Sequence, residues 1–381
     1  MSTPRPLRLA VLMDPREEGW PSMDLVGEAL LEGLRAFPDE VSARALRPGI
    51  PSVARRLPRV GSHPAAFNVD RILTRFGAYP ARALLARSGH DAFHVVDQTY
   101  AQLVHALPAS RTGIYCHDLD AFRSIIEPHR EPRPAWFRGM ARAQLQGLAR
   151  AALVFHDSQA VRDELLAHGL VDPSRLVLAP LGTAPEYRTE PVPGDESARV
   201  LAPLGGQPYL LHVGSAAPRK RLDVLFDVFA ALRSRHPDLR LVQQGAALTP
   251  ALRERVKNLG LEDALLQPSW VERPTLAGLY RGARAVLVTS EAEGFGLPVI
   301  EALACGAPVI ASDLPVLREV GGNACLYCPV GDTEAWSQRV DALLTEHLPA
   351  PPREARLAHA ARFTWSAHTR TVLDAYQRLL R

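Results

Sequence analysis

The densest chemistry in this 381-residue chain lies in Thr289-Ser-Glu-Ala-Glu-Gly-Phe-Gly-Leu-Pro-Val-Ile-Glu-Ala-Leu-Ala-Cys-Gly306. The apolar run Ala285–Val288 reads as a buried strand that feeds a loop carrying Gly294 and Gly296. Pro298 suits the first turn of a helix, and Gly306 followed by Ala307-Pro308 stops it. A helix N-terminus behind two glycines, with Phe295 and Leu297 beside them, is an anion site. Its free N–H groups point outward, and a missing Cβ lets a diphosphate approach the backbone. Each charge held there gains roughly 0.3–1 kcal/mol when exposed. Two carboxylates, Glu293 and Glu301, flank the same site. They would repel a phosphate unless they accepted hydrogen bonds from hydroxyls. A nucleotide sugar offers hydroxyls on both sides of its diphosphate, which reconciles the carboxylates with the anion site. Without Glu293 and the glycines, a plain loop–helix junction with Glu301 capping amides would be the better reading.

A second constellation is His212-Val-Gly-Ser-Ala-Ala-Pro-Arg-Lys-Arg221. Gly214 and Ser215 follow the expected strand Tyr209–Val213, and Arg219-Lys220 stand ahead of the helical pattern Leu222–Arg233. Of 44 basic residues only Lys220 and Lys257 are lysine, so an ammonium at 220 asks for a reason. Cations are disfavoured at a helix N-terminus by its dipole. Two of them together suit the negative charge that develops on a departing diphosphate, with no metal ion needed. A third element is Tyr115-Cys-His-Asp-Leu-Asp120, at the carboxyl end of the expected strand Gly113–Cys116. A histidine at such a place is often structural, and Cys116 reads as buried rather than nucleophilic.

The pair Glu293 and Glu301 within Ser-x-x-Glu-Gly-Phe-Gly-Leu-Pro resembles the signature of retaining family 4 glycosyltransferases of the GT-B fold. The resemblance covers residues 209–330 well and the rest more loosely. It implies that Glu301 holds ribose hydroxyls, that Glu293 holds hydroxyls of the transferred sugar, and that Arg219 and Lys220 stabilise the leaving phosphate. Pro218-Arg219-Lys220 is similar to members that add mannose during bacterial polysaccharide assembly, which puts GDP-mannose first as donor and UDP-sugars next. Other members place an arginine where Ser215 stands. His117 and Asp118 match the family's His-Asp element, in which the histidine faces the donor sugar. Asp118-Leu-Asp120 belongs to that element despite its metal-like spacing, so no metal and no cofactor beyond the donor substrate are expected. Gly19, in Asp14-Pro-Arg-Glu-Glu-Gly-Trp20, stands alone where the family usually has a glycine pair near donor phosphate and acceptor. Gln267-Pro-Ser-Trp-Val271 resembles the nucleobase shelf, with Trp270 or Val271 beside the base. Retention is drawn in this family as same-face attack, and no protein nucleophile is evident. A sugar-nucleotide epimerase on the same fold would need an acid–base pair not found here. A nucleotide-sugar-binding module, or a partner-dependent subunit without its own turnover, is the alternative from another class.

These residues need elements to position them. Leu9–Met13, Ala92–Val96, Gly113–Cys116, Ala152–Phe155 and Leu176–Ala179 read as buried strands, separated by helical patterns at Met23–Phe37, Phe137–Arg150 and Ser158–His168. Ser158 suits an N-cap and Gly169 a left-handed stop. After a Pro/Gly/charge-rich break the alternation resumes with Tyr209–Val213, Arg240–Gln244, Ala285–Val288 and Val309–Ala311. The expectation is an α/β protein of two doubly wound Rossmann-like domains facing across a cleft, the GT-B plan. Its parts are an N-terminal, acceptor-binding domain at 1–190, a linker at 191–207, a nucleotide-sugar domain at 208–365, and a final helix at 366–381 that packs back on the first domain. A formal net charge of +3 gives no electrostatic argument for nucleic acid. Cys325-Leu-Tyr-Cys328 has zinc-like spacing but no second pair, and reads as a strand and its end. No apolar run approaches the ~20 residues that span a bilayer, so a cytoplasmic protein is expected. The arginine-rich stretch 44–87 leaves contact with the inner membrane face open, though a solvated face is the plainer reading. The expected acceptor is a glycan or lipid-linked saccharide.

Overall fold

The computed structural model describes residues 5–57 and 63–381. Residues 1–4 and residues 58–62 of the arginine-rich stretch lie outside the described residues. Among the described residues, twelve strands form two six-stranded sheets. The first contains β1 (Leu7–Leu12), β2 (Val41–Leu46), β3 (Ala92–Val95), β4 (Thr112–Cys116), β5 (Leu153–His156) and β6 (Leu176–Leu178), ordered β2-β1-β3-β4-β5-β6. The second contains β7 (Tyr209–Val213), β8 (Arg240–Gln244), β9 (Leu265–Leu266), β10 (Ala285–Val288), β11 (Val309–Ser312) and β12 (Leu326–Cys328), ordered β12-β11-β10-β7-β8-β9. Every pairing is parallel. Helices cover both faces of such sheets, which is why β4, β5, β10 and β11 are buried at every residue and are apolar but for the end residues Thr112, His156 and Ser312.

Each sheet builds its own core. In the first, Phe93, Tyr100, Ile114, Phe122 and Val154 pack together; in the second, Phe226, Phe229, Leu241, Leu287 and Trp336 do. The chain divides into unit 1, Met1–Leu181 with Trp365–Arg381, and unit 2, Gly182–Thr364. The first boundary therefore falls at Leu181 rather than at 190, because Ala184 and Tyr187 are already buried in unit 2. The expected linker 191–207 is structured as well. It holds the helix Ser197–Leu201, and Asp195 meets Arg281 at 2.5 Å. Gly278 lets this segment lie flat, since a Cβ there would fall 2.3 Å from Ser197 Oγ.

Both sheets contain a point at which successive strands lie on opposite sides of a first strand. In unit 1 it falls between β1 and β3, in unit 2 between β7 and β10. The loops leaving such neighbours diverge, so a crevice opens beyond their carboxyl ends.

Candidate functional site

The unit 2 crevice gathers the two strongest sequence elements. The loop after β7 carries Gly214 to Lys220, and the loop after β10 carries Thr289 to Gly296. Backbone contacts lock the loops together. Glu291 N donates to Arg219 O at 2.8 Å, and Thr289 Oγ1 donates to Lys220 O at 2.9 Å. Pro218–Lys220 forms one 3-10 turn, and Arg221 at φ 50° redirects the chain into the helix Leu222–Arg233. That left-handed arginine is anchored by Asp223 and Glu291 through its guanidinium.

At the centre stands Glu293, whose side chain is only 6% exposed. Lys220 Nζ donates to it at 2.5 Å, Ser290 Oγ at 2.7 Å and Arg219 Nη1 at 3.3 Å. Burial alone would raise this carboxyl, but Lys220 and Arg219 outweigh it and hold Glu293 ionised, below the usual range. The cations are thus pre-oriented by a shared carboxylate, which a sequence reading of Glu293 as a hydroxyl acceptor alone did not foresee. His212, beneath Lys220, is driven down to about 3 by burial and by that ammonium, so it stays neutral. Gly214 spans the gap above it: a Cβ there would lie 3.1 Å from the His212 ring. Ser215 is exposed next to it.

Gly296 caps the helix Leu297–Ala304 at φ 98°, with Pro298 in its first turn. Gly294 is half-buried in front of this N-terminus, and Phe295 is buried against Phe363. Glu301 lies in the same helix, 6% exposed, and accepts the Tyr280 hydroxyl at 2.9 Å. The nearby Tyr187 hydroxyl also favours its ionised form. Burial pushes Glu301 up to about 7, against the two phenols and Arg273. Neither tyrosine carried a sequence signal: Tyr280 lies in the helix Arg273–Gly282 and Tyr187 in the polar loop Pro185-Glu-Tyr-Arg188, and no local pattern ties either to Glu301. Of the proposed base shelf, Trp270 is 67% exposed and Val271 half-buried.

Unit 1 holds the remaining candidates. His117 is buried, stacked on Tyr115 with ring centroids 4.4 Å apart. Its Nδ1 faces Asp157 Oδ2 at 3.1 Å and its Nε2 donates to Val96 O at 3.0 Å. Both ring nitrogens are therefore engaged inside unit 1. Burial would lower its pKa, but Asp157 more than compensates and the net direction is upward. Asp118 accepts from Gln98 Nε2 at 3.0 Å and from Asp120 N at 3.1 Å, which fixes the turn after β4. Gly19 takes φ 70° to close the 3-10 turn Arg16–Glu18, with open space at its Cβ position. The acids at the unit 1 crevice escaped the sequence reading. Asp14 after β1 and Asp97 after β3 are both 4% exposed, and burial beside Asp97 holds Asp14 well above the carboxylate range. Cys116, Cys305, Cys325 and Cys328 are free and buried, and no metal-binding cluster of His, Cys, Asp or Glu occurs among the described residues.

Comparison with known proteins places this geometry. The family "Glycosyl transferases group 1" matches residues 195–363. D-inositol 3-phosphate glycosyltransferase of Rhodococcus erythropolis is 36% identical over 227 residues, 54% of this chain and 49% of that protein. The chain thus aligns with about half the length of the first such relatives. O-antigen chain mannosyltransferase B of Escherichia coli is 30% identical over 270 residues, covering 69% of each chain. Among solved structures, the Anabaena protein HepE in complex with UDP superposes with a TM-score of 0.71 at 18% identity, covering 98% of this chain and 100% of that one. With the motif, both sheets and these relatives in agreement, the chain belongs to the group 1 glycosyltransferases and has their two-domain α/β fold.

Proposed function

We propose that the chain transfers a hexose from a nucleoside-diphosphate sugar to a glycan or lipid-linked saccharide, with retention and without a metal ion. The observation that carries this is the unit 2 crevice. Two cations on one buried carboxylate stand in the loop that interlocks with the one leading to the N-terminus of a helix. Arg219 and Lys220, with the N-terminus behind Gly296, stabilise the charge that appears on the diphosphate as the sugar–phosphate bond breaks. Glu301 accepts ribose hydroxyls. Glu293 steers the cations and offers its remaining lone pairs to hydroxyls of the departing sugar. Trp270 and Val271 flank the base. Retention follows from attack on the face the phosphate leaves, with a phosphate oxygen taking the acceptor proton. GDP-mannose is the preferred donor, a choice supported by Pro218-Arg219-Lys220 and by the relative named as a mannosyltransferase. UDP-sugars come next, given a structural neighbour solved with UDP.

Calorimetry of GDP, UDP, ADP and dTDP with chelator present, on wild type and Glu301→Ala, tests the reading. One diphosphate should bind well, with affinity reduced at least tenfold by the substitution, the scale of losing hydrogen bonds to a charged group. Binding of none of the four would sink the proposal. Binding without slow donor hydrolysis would favour the silent nucleotide-sugar module instead.

A further inference from the structure

Six of the eleven large apolar side chains exposed among the described residues fall between residues 53 and 85: Val53, Leu57, Val69, Leu73, Leu84 and Leu85, the last 82% exposed. They sit on contiguous elements of unit 1. The turn Ala54–Arg56 packs on the helix Pro64–Leu73, which continues through Thr74–Ala78 into Tyr79–Leu85. The opposite side of these elements is firmly seated. Ala54, Ala66, Tyr79 and Ala83 are buried, and the Tyr79 hydroxyl bonds Met13 O at 2.9 Å and Leu46 O at 2.6 Å. The outward apolar side chains are therefore held out by a fixed scaffold. Soluble proteins seldom leave so many exposed on contiguous elements without a partner.

Charge says which partner. Residues 44–87 contain nine arginines and a single acid, Asp70. Asp70 is buried and turned inward, accepting from Val53 N at 3.0 Å and from Arg55 Nε at 2.9 Å. Arg47 is drawn off by Asp24, and Arg75 by Glu18. Arg56, Arg82 and Arg87 are exposed and make no ion pair among the described residues. Arg71 also reaches Glu18, at 3.5 Å, so what the stretch itself turns outward is apolar and positive, with no exposed acid of its own.

We propose that this face docks on an anionic lipid bilayer. Val69, Leu73, Leu84 and Leu85 enter the boundary between headgroups and acyl chains, while the arginines extend their stems along it and meet lipid phosphates. The inference is independent of sugar transfer, and its test uses no sugar substrate.

Sedimentation of the full chain with vesicles of phosphatidylglycerol and phosphatidylcholine, against phosphatidylcholine alone, reads it directly. The chain should pellet with the anionic vesicles and not with the neutral ones, and high salt should release it. Arg82→Gln and Arg87→Gln should each lower partitioning about fivefold. Leu73→Glu with Leu85→Glu should abolish it while nucleoside-diphosphate binding, measured in parallel, stays unchanged. The proposal is overturned if wild type stays in the supernatant with both vesicles, or if it binds both equally. It is also overturned if ultracentrifugation shows a dimer that the leucine substitutions dissociate while vesicles bind neither form.

Discussion

At the scale of single residues, the site divides into what spacing displays and what only folding assembles. Glu293 and Glu301 stand eight positions apart around a glycine loop, so a reader of the chain meets them together. The ion pair of Glu293 with Lys220 spans 73 positions, and the phenols on Glu301 come from 187 and 280, so no local pattern announces them. They nonetheless set the chemistry. Glu301 faces Tyr280, Tyr187, Arg273 and the Cys305 thiol, and burial lifts it to about 7. Hydroxyl recognition uses the ionised form, so nucleotide affinity should rise with pH through about 7 and level off above it. Removing one phenol donor weakens the ionised form by about 1.5 kcal/mol, which is about one pH unit. Tyr280→Phe should therefore move the midpoint of the affinity profile upward by about one unit, with most of the loss at pH 7 recovered at pH 9. An unshifted midpoint, with affinity lower at every pH, would make the tyrosine merely a packing residue. Stability has the opposite slope. A carboxyl whose folded pKa exceeds its unfolded value costs stability as pH climbs from about 4.5, the usual value for glutamate, to about 7, because the unfolded state releases its proton first.

At the scale of elements, the buried strands were the most legible parts, because parallel strands covered on both faces must be apolar throughout. β7, β8 and β10 fall where the apolar runs place them. The edge strand β2, Val-Ser-Ala-Arg-Ala-Leu, shows no such run because only one of its six residues is buried. Helix ends were legible where a side chain or a glycine does a local job. Ser158 accepts from Val161 N at 3.2 Å, and Gly169 takes φ 60°. The same logic yields opposite signs at two glycines. Gly296 starts the phosphate-facing helix at φ 98°, and a Cβ there would come within 2.7 Å of Leu317 Cδ2. That methyl can move, but the backbone cannot relax without re-aiming the N–H groups. Gly296→Ala should cost about 1–3 kcal/mol and weaken diphosphate binding. Gly139, inside the helix Ala135–Arg150 with open space at its Cβ position, should gain about 0.5–1 kcal/mol on becoming alanine. Thermal melts of the two variants check both signs at once, and destabilisation at both positions would refute the argument.

At the scale of the whole molecule, unit 1 is completed by the last seventeen residues of the sequence, Trp365–Arg381. The amphipathic pattern announced the helix. Its seat depends on contacts far apart in sequence: the Tyr376 hydroxyl donates to Phe93 O at 2.8 Å, and Gly113 leaves it room, since a Cβ there would lie 2.3 Å from the phenol oxygen. Arg370 clamps Glu40 with both terminal nitrogens, at 2.8 and 2.9 Å, and its guanidinium lies 4.0 Å from the Phe37 ring centre. Val372, Leu373 and Tyr376 are fully buried, and each contributes roughly 1.5–3 kcal/mol by leaving water. Their sum is comparable with the ~5–15 kcal/mol that holds an ordinary domain together. A chain ending at Thr364 should therefore lose the calorimetric unfolding transition of unit 1. It should keep that of unit 2, together with nucleoside-diphosphate binding, because Arg219, Lys220, Glu293 and Glu301 all remain. Tyr376→Phe, which removes the hydroxyl's bonds to Phe93 O and His94 Nδ1 and keeps the ring, should lower only the first transition and by about 2 kcal/mol. If the truncated chain keeps both transitions, the helix is an accessory to unit 1. If it loses both, the two units fold as one body, and the donor site depends on the end of the chain as much as on its own loops.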